Sequence, residues 1–368
     1  MTEPEACVAL NLIPNMGPVR LRKLLAVFGT PERVLQASTA ELRGVEGIGP
    51  DLARAVAEWE STVDLAAELE LARTFGARFL TQNSPDYPRQ LREIHNPPIV
   101  LYVWGELTQR DHHAIGIVGS RKTSHYGLEC AKKLSYQLAY AGLTVVSGLA
   151  RGIDTAAHQG ALAAQGRTIA VIGSGLMDLY PPENLALAEK ITHSGAVLSE
   201  FPMKYAPSPQ TFPYRNRIVA GWGNGVLVVE AGLSSGALIT ANQALDHGRQ
   251  VYAVPGPIDR PTSAGTNRLI QQGAKLVASA ADILDDLHAL FPELTQNRPF
   301  AETKPLLNAD EESVLAQVQT DETALDQIVA ACHLPAHRVS SILLTLEMKR
   351  RVKQLPGQLF VRLDAEAS

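Results

Sequence analysis

Cysteine is scarce in this chain. Cys7, Cys130 and Cys332 are its only three, odd in number and too far apart for metal spacing. Neither a disulfide framework nor a thiolate metal site is expected, and each cysteine reads as an inert small hydrophobe. No apolar run reaches the ~20 residues that cross a bilayer, and Met1-Thr-Glu-Pro-Glu5 lacks the basic start of a signal peptide. The expectation is a cytoplasmic protein with no membrane partner. There is no G-x-x-x-x-G-K-[ST], which argues against a Walker-type nucleoside triphosphatase. The turn at Gly119 lacks full G-x-G-x-x-G spacing, and after Gly173-Ser-Gly175 the third glycine position is Asp178. Histidines show no zinc spacing, and Ser234-Ser-Gly236 lacks a nucleophile elbow. No nucleophile stands out beside Asp154 and His158 or beside Asp178 and Tyr180. No metal, no cofactor and no catalytic set are therefore expected.

Positive charge is also short, at a net −5 for the 368 residues. Its distribution is uneven. Residues 1–112 hold 11 Lys and Arg against 15 Asp and Glu, residues 113–280 hold 14 against 9, and residues 281–368 hold 8 against 14. The middle segment is thus basic by five between two acidic ends, the footprint expected where a polyanion binds.

What the chain does have is three apolar runs that each end in a glycine turn. They are Ala114-Ile-Gly-Ile-Val-Gly-Ser-Arg121, Leu143-Thr-Val-Val-Ser-Gly-Leu-Ala-Arg151-Gly-Ile-Asp154 and Thr168-Ile-Ala-Val-Ile-Gly-Ser-Gly175. A buried parallel strand followed by glycines presents backbone N–H groups at a helix start, an anion site, and the arginines of two turns add planar forks suited to phosphate. The densest polar segment is Phe212-Pro-Tyr-Arg-Asn-Arg217, whose charge and rings match what single strands require. Leu179-Tyr-Pro-Pro-Glu-Asn184 is a second aromatic candidate at a strand's carboxyl end. Glu200 and Glu230 end successive strands, either as a carboxylate pair or, more ordinarily, as partners for Arg215 and Arg217.

Residues 1–80 read as short helices. Ile13–Leu25 and Val45–Val56 each place a glycine turn and a proline before an amphipathic helix. This resembles the helix-hairpin-helix element of sterile-alpha-motif-like domains, here read as packing before DNA contact because the segment is acidic. Residues 81–112 read as a connector that adds an edge strand, Ile99–Trp104. Residues 113–280 alternate strand and helix and predict a doubly wound parallel sheet. The further strands are Ala196–Ser199, Gly225–Glu230 and Gln250–Val254, and the helices include Gly127–Tyr140, Asp154–Ala164 and Ala237–His247. Residues 281–305 read as a linker. Residues 306–368 give three helices (Glu311–Val318, Ala324–Ala331 and His337–Arg350) and a hairpin (Val352–Leu355 and Gln358–Arg362), turning at Pro356-Gly357. That is the outline of a winged helix. The run Lys349-Arg-Arg-Val-Lys353 suits either a nucleic-acid backbone or the helix's own C-terminus; the acidic domain favours partner binding or packing.

At these residues the chain resembles the DNA-processing protein A (DprA/Smf) family of bacteria. The likeness lies in Gly119-Ser-Arg121, Ser147–His158, Tyr180-Pro-Pro-Glu-Asn184, Ser199-Glu-Phe-Pro202, Arg215-Asn-Arg217, Val228-Val-Glu-Ala231, Ser235–Ala241, Ala253-Val-Pro-Gly256 and Gly265-Thr-Asn267. Tyr87-Pro88 and Pro97–Gly105 match as well, so the likeness spans about residues 80–280 in order. The resemblance implies an extended Rossmann-like core that binds single-stranded DNA in a positive pocket and dimerises through that core. It also implies delivery of the strand to the recombinase RecA in natural transformation, with protection of incoming DNA and displacement of single-strand-binding protein. The residues expected to meet DNA are Gly119, Ser120, Arg121, Lys122, Gly148, Arg151, Gly152, Gly173, Ser174, Gly175, Tyr180, Asn184, Phe212, Arg215, Asn216 and Arg217. The loop after Gly175 offers Met177 and Tyr180 without a lysine. A competing reading is a Rossmann-like hydrolase of nucleoside monophosphates, although Glu230-Ala-Gly-Leu-Ser-Ser-Gly236 lacks the P-G-G-x-G-T-x-x-E motif. A third is a double-strand regulator acting through the winged helix.

Overall fold

The computed structural model describes residues 1–290, 307, 309–319, 321–332, 334–348, 351–355, 357 and 359–362. They fall into two compact units, residues 1–298 and 299–368.

The apolar runs become strands for the reason their sequence suggests. Val, Ile and Ala fill them, and Ala114–Val118 and Thr168–Ile172 are buried at every position. Nine strands form one sheet: β1 (Arg78–Thr81), β2 (Val100–Gly105), β3 (Ala114–Val118), β4 (Thr144–Ser147), β5 (Thr168–Ile172), β6 (Ala196–Ser199), β7 (Gly225–Val228), β8 (Gln250–Ala253) and β9 (Lys275–Leu276). Their spatial order is β1-β2-β6-β5-β4-β3-β7-β8-β9. From β6 to β9 all pairings are parallel, whereas β2 runs antiparallel to β6 and β1 antiparallel to β2. This is the extended, doubly wound Rossmann-like sheet that strand–helix alternation predicts. The edge-strand expectation for 99–104 needs correcting: β2 lies inside the sheet, and β1 takes the edge.

The pleat divides the core into two layers. Ile115, Ile117, Val145 and Leu227 pack on one face with Leu134, Leu138, Ile153 and Ala157 from the helices His125–Tyr140 and Ile153–Ala163. Val118, Val146, Val226 and Val228 face the other way, against Ile218, Trp222, Ala241 and Leu269 from Thr211–Trp222, Gly236–Asp246 and Ala264–Gln271. Residues 281–290 do not begin a linker. They form a helix whose Ile283 and Leu287 are buried in the first of these layers.

The N-terminal segment is helical, with Pro18–Phe28 and Pro50–Ala57 each starting behind a glycine, proline first. Its own core includes Leu10, Leu24, Leu42 and Val56, while Val8 and Ala72 join the layer under β2, β5 and β6. Thr81 Oγ1 donates to Glu3 (2.9 Å) and Met203 N to Glu68 (2.7 Å), tying helices and sheet together.

In the second unit, the helices Ala309–Leu315, Leu325–Cys332 and Ala336–Met348 accompany β10 (Thr323–Ala324), β11 (Val352–Leu355) and β12 (Leu359–Arg362). The three strands make one antiparallel sheet in the order β10-β12-β11, and Val314, Ile328, Leu343 and Phe360 fill the core. This is a winged helix with one more strand than the two anticipated. Lys349, Arg350 and Pro356, which carried part of the sequence reading, lie outside the described residues. Among the described residues no helix is long and apolar enough to cross a membrane.

Candidate nucleic-acid interface

The strand order reverses between β3 and β7, and such a switch point opens a crevice at the carboxyl ends of the strands. A cleft of about 1040 Å³ occupies it. One wall is the turn after β3, with Gly119, Ser120, Arg121 and Lys122. The facing wall is the turn after β7 and the first residues of the helix that follows, Gly232 to Thr240. Phe212, Arg215 and Asn216 of the helix Thr211–Trp222 close the end. The wall from Gly232 to Thr240, and Thr262 beside it, was not among the expected DNA contacts, although Ser235–Ala241 is one of the segments that carry the likeness noted above. Their signal was weak because Ser, Gly and Thr are ordinary loop residues, and only the adjacency of β7 to β3 brings them here.

The rings and cations form a row. The Arg121 guanidinium lies over the Phe212 ring at 4.6 Å, Phe212 meets Tyr180 at 6.0 Å, and Tyr180 lies 5.7 Å from the Arg151 guanidinium. A narrow notch between Arg121, Arg151, Tyr180 and Phe212 continues the cleft along this row. Arg121 and Lys122 are exposed and form no ion pair among the described residues. Arg151 is exposed but held by Glu183, whose carboxyl stays below its usual range because of that bond.

Other expected contacts turn inward. Arg215 is buried, donating to the carbonyls of Gly148 and Val171 beside Asp154. Burial pushes it down to about 10, against the pull of Asp154, so it remains a cation at neutral pH at the floor of the cleft. Arg217 is 6% exposed and donates to Glu200 at 2.5 Å, away from the cleft. Positions two apart on a helix point about 200° apart, so Arg215 and Arg217 serve different sides. Asn184 is buried and donates to the carbonyl of Leu149 and to Thr155, both at 2.8 Å, while Ser174 is 1% exposed. These two and Arg217 are ties within the fold, which corrects their place among surface contacts.

The glycines divide in the same way. A Cβ at Gly148 would fall on the Arg215 guanidinium and within 2.5 Å of Asp154. Gly152 has φ +77 and lies against the carbonyls of Ser120 and Arg121. Gly173 and Gly175 are buried, packed against Phe212 and against the carbonyls of Pro202 and Met203. The turn amides are partly spent inside: Ser120 N donates to Glu230 O at 2.7 Å and Gly175 N to Tyr205 O at 2.8 Å. The glycine signal therefore reports close packing of turns, and the side chains of Arg121, Lys122 and Phe212 face the cleft.

Glu230, the residue a hydrolase would need, does not line the cleft. Its carboxylate accepts from Thr123 Oγ1 and from Ser124 N at 2.8 Å. Burial works to raise its pKa, and the bonds from Thr123, Thr262 and Ser124 overcome this and hold it low. Glu200 and Glu230 end β6 and β7, which three strands separate, so they make no pair. His158 is buried against Thr168 Oγ1 (2.7 Å), and burial lowers it to about 3, keeping it neutral. Among the described residues no cluster of His, Cys, Asp and Glu suits a metal.

Family models described as DNA recombination-mediator protein A, DprA winged helix domain and SAM-like helix-hairpin-helix tandem match residues 78–288, 298–358 and 9–59. Protein Smf of Synechocystis sp. is 37% identical over 388 residues, covering 96% of this chain and 98% of its own. The X-ray structure of DNA processing protein A from Streptococcus pneumoniae superposes with a TM-score of 0.69 at 34% identity, over 78% of this chain and 99% of that one. A DNA processing protein A from Helicobacter pylori, whose structure concerns its single-stranded DNA binding mode, has a TM-score of 0.52 at 27% identity, over 58% of this chain and 98% of that one.

Proposed function

The chain belongs to the DNA recombination-mediator protein A family, and on that premise we propose that it holds single-stranded DNA in the switch-point cleft and hands it to RecA. The observation that carries this reading is the row Arg121–Phe212–Tyr180–Arg151 at the mouth of the cleft. Two guanidinium planes flanking two adjacent rings offer charge to phosphates and faces to unstacked bases, and a duplex keeps its bases stacked out of reach. Lys122 and the buried Arg215 add field at the same place. Binding of this kind tolerates sequence, because every base has a face and every nucleotide a phosphate. The protein works without turnover as a mediator: it protects incoming strands, displaces single-strand-binding protein and acts as a dimer through the core, in the cytoplasm. The strand-end carboxylates Glu200 and Glu230 are engaged in the fold and neither lines the cleft, which weighs against the glycosidic-hydrolase reading.

The test is assembly of RecA filaments on DNA already coated with single-strand-binding protein. The protein is expected to shorten the lag before RecA loads, and Arg121→Ala is expected to lose most of that effect. An unchanged lag with the wild-type protein would refute the mediator role.

A further inference from the structure

The two walls of the cleft differ in kind. The first carries the cations Arg121 and Lys122, with Arg215 at the floor, and Asp154 is the one carboxylate among the described lining residues. The second, from Gly232 to Thr240, carries no charge, yet the 11-residue helix Gly236–Asp246 begins in it.

Two independent observations mark this second wall. The first is the helix start. Ser235 accepts from Ala237 N through its hydroxyl at 3.3 Å and from Leu238 N through its carbonyl at 3.1 Å, whereas Gly236 N forms no hydrogen bond among the described residues. A Cβ at Gly236 would meet nothing within 4 Å, so this amide stands beside open space. An unspent N–H at the positive end of a helix draws an anion. The second observation is Thr240. It is 2% exposed and lines the cleft, and its hydroxyl keeps accessible surface there without a hydrogen bond among the described residues. Gly236 and Thr240 are four apart and share a helix face. Helical side chains lean toward the N-terminus, so Thr240 lies over the turn at Gly236. A hydroxyl this deep without a partner is costly unless a guest supplies one.

We infer that this wall is a phosphate subsite, in which the Gly236 amide and the Thr240 hydroxyl donate to one phosphate of the bound strand. Three cations against Asp154 keep the cleft positive around it. The inference rests on the single-strand reading above and adds a second anchor, across the cleft from Arg121. Because that anchor is neutral, no count of charge reveals it. The phosphate has two sources, an internal linkage or a phosphorylated strand end, and both present the same oxygens to these donors.

Thr240→Val keeps the shape and removes the hydroxyl. Gly236→Pro removes the amide at the first helical position, where proline is favoured, and Ser235 already has the extended φ −69, ψ 136 that a residue before proline needs. Thermal melting is expected to match the wild type in both. Anisotropy with the full chain uses one single strand with hydroxyl ends, with a 5′-phosphate and with a 3′-phosphate. Wild-type protein is expected to bind the three alike and each variant to bind all three about fivefold more weakly, with the salt slope unchanged because no charge is lost. A wild-type preference for one phosphorylated end, abolished in both variants, supports the subsite equally and places a strand end in it. Inorganic phosphate, with ionic strength matched by chloride, is expected to compete with the strand, and its inhibition constant to rise about fivefold in Thr240→Val. Unchanged affinities in both variants overturn the subsite, as does weaker strand binding with an unchanged phosphate constant, which would put sugar or base at Thr240. If Arg121→Ala still weakens the strand in either case, the subsite alone falls; no binding of any strand by the wild type removes the single-strand reading and the subsite with it.

Discussion

Arg121→Ala removes a guanidinium that is exposed, stacked 4.6 Å from the centre of Phe212 and outside any ion pair among the described residues. Nothing in the fold depends on it, so stability is expected to stay within about 0.5 kcal/mol. Its loss in binding is that of one charge-assisted phosphate contact, worth about 1.5 kcal/mol at an exposed site, or roughly tenfold in Kd. Because one counterion fewer is released, the slope of log K against log salt should flatten by about 0.7 for a single strand. Arg121→Lys separates charge from geometry: the slope stays, since the charge stays, while affinity falls only about threefold as the planar fork is lost. Fluorescence anisotropy over a salt series, with thermal melting alongside, measures all three quantities. An unchanged slope in Arg121→Ala, with the fold intact, would refute the placement of phosphate at this residue.

Glu183→Gln should free Arg151 for phosphate, so single strands bind tighter and the salt slope steepens by about 0.7; no change would mean that the ion pair does not compete with DNA. Arg217→Ala strands a buried carboxylate at Glu200 and should cost about 3–5 kcal/mol by urea unfolding, more than replacing both partners by apolar residues of similar size. The reverse order would contradict the reading of that pair as structural. His158 titrates near 6.5 when unfolded and at about 3 in the fold, where burial excludes its charge. Below pH 6.5 the unfolded chain therefore takes up a proton the native state refuses, and stability falls with acid by about 1.4 kcal/mol per pH unit down to about 3. His158→Gln, which cannot titrate, should remove that part of the acid dependence of the urea midpoint.

Period and glycine punctuation made the sheet legible. Ala114–Val118, Thr168–Ile172 and Ala196–Ser199 are strands where the apolar runs place them. Short elements escaped, because β1 and β9 carry four and two residues and leave no periodic trace. The helix 281–290 escaped too, since its buried Ile283 and Leu287 give too short a repeat to separate it from a linker. At the site, sequence identified residue types and could not assign their direction. Arg121 and Arg217 look alike as letters, yet one stacks over Phe212 in the open and the other pairs with Glu200 inside. Strand order decides such matters, and it is a property of long-range pairing. The same holds for Gly232–Thr240, which reach the cleft only because β7 lies beside β3.

Anisotropy of one sequence in single- and double-stranded form, titrated at several salt concentrations, separates strand binding from duplex binding. The single strand is expected to bind the tighter at every salt concentration, with a steep negative slope that Arg121→Ala flattens. Equal affinity for the two forms, or tighter binding of the duplex, would contradict it.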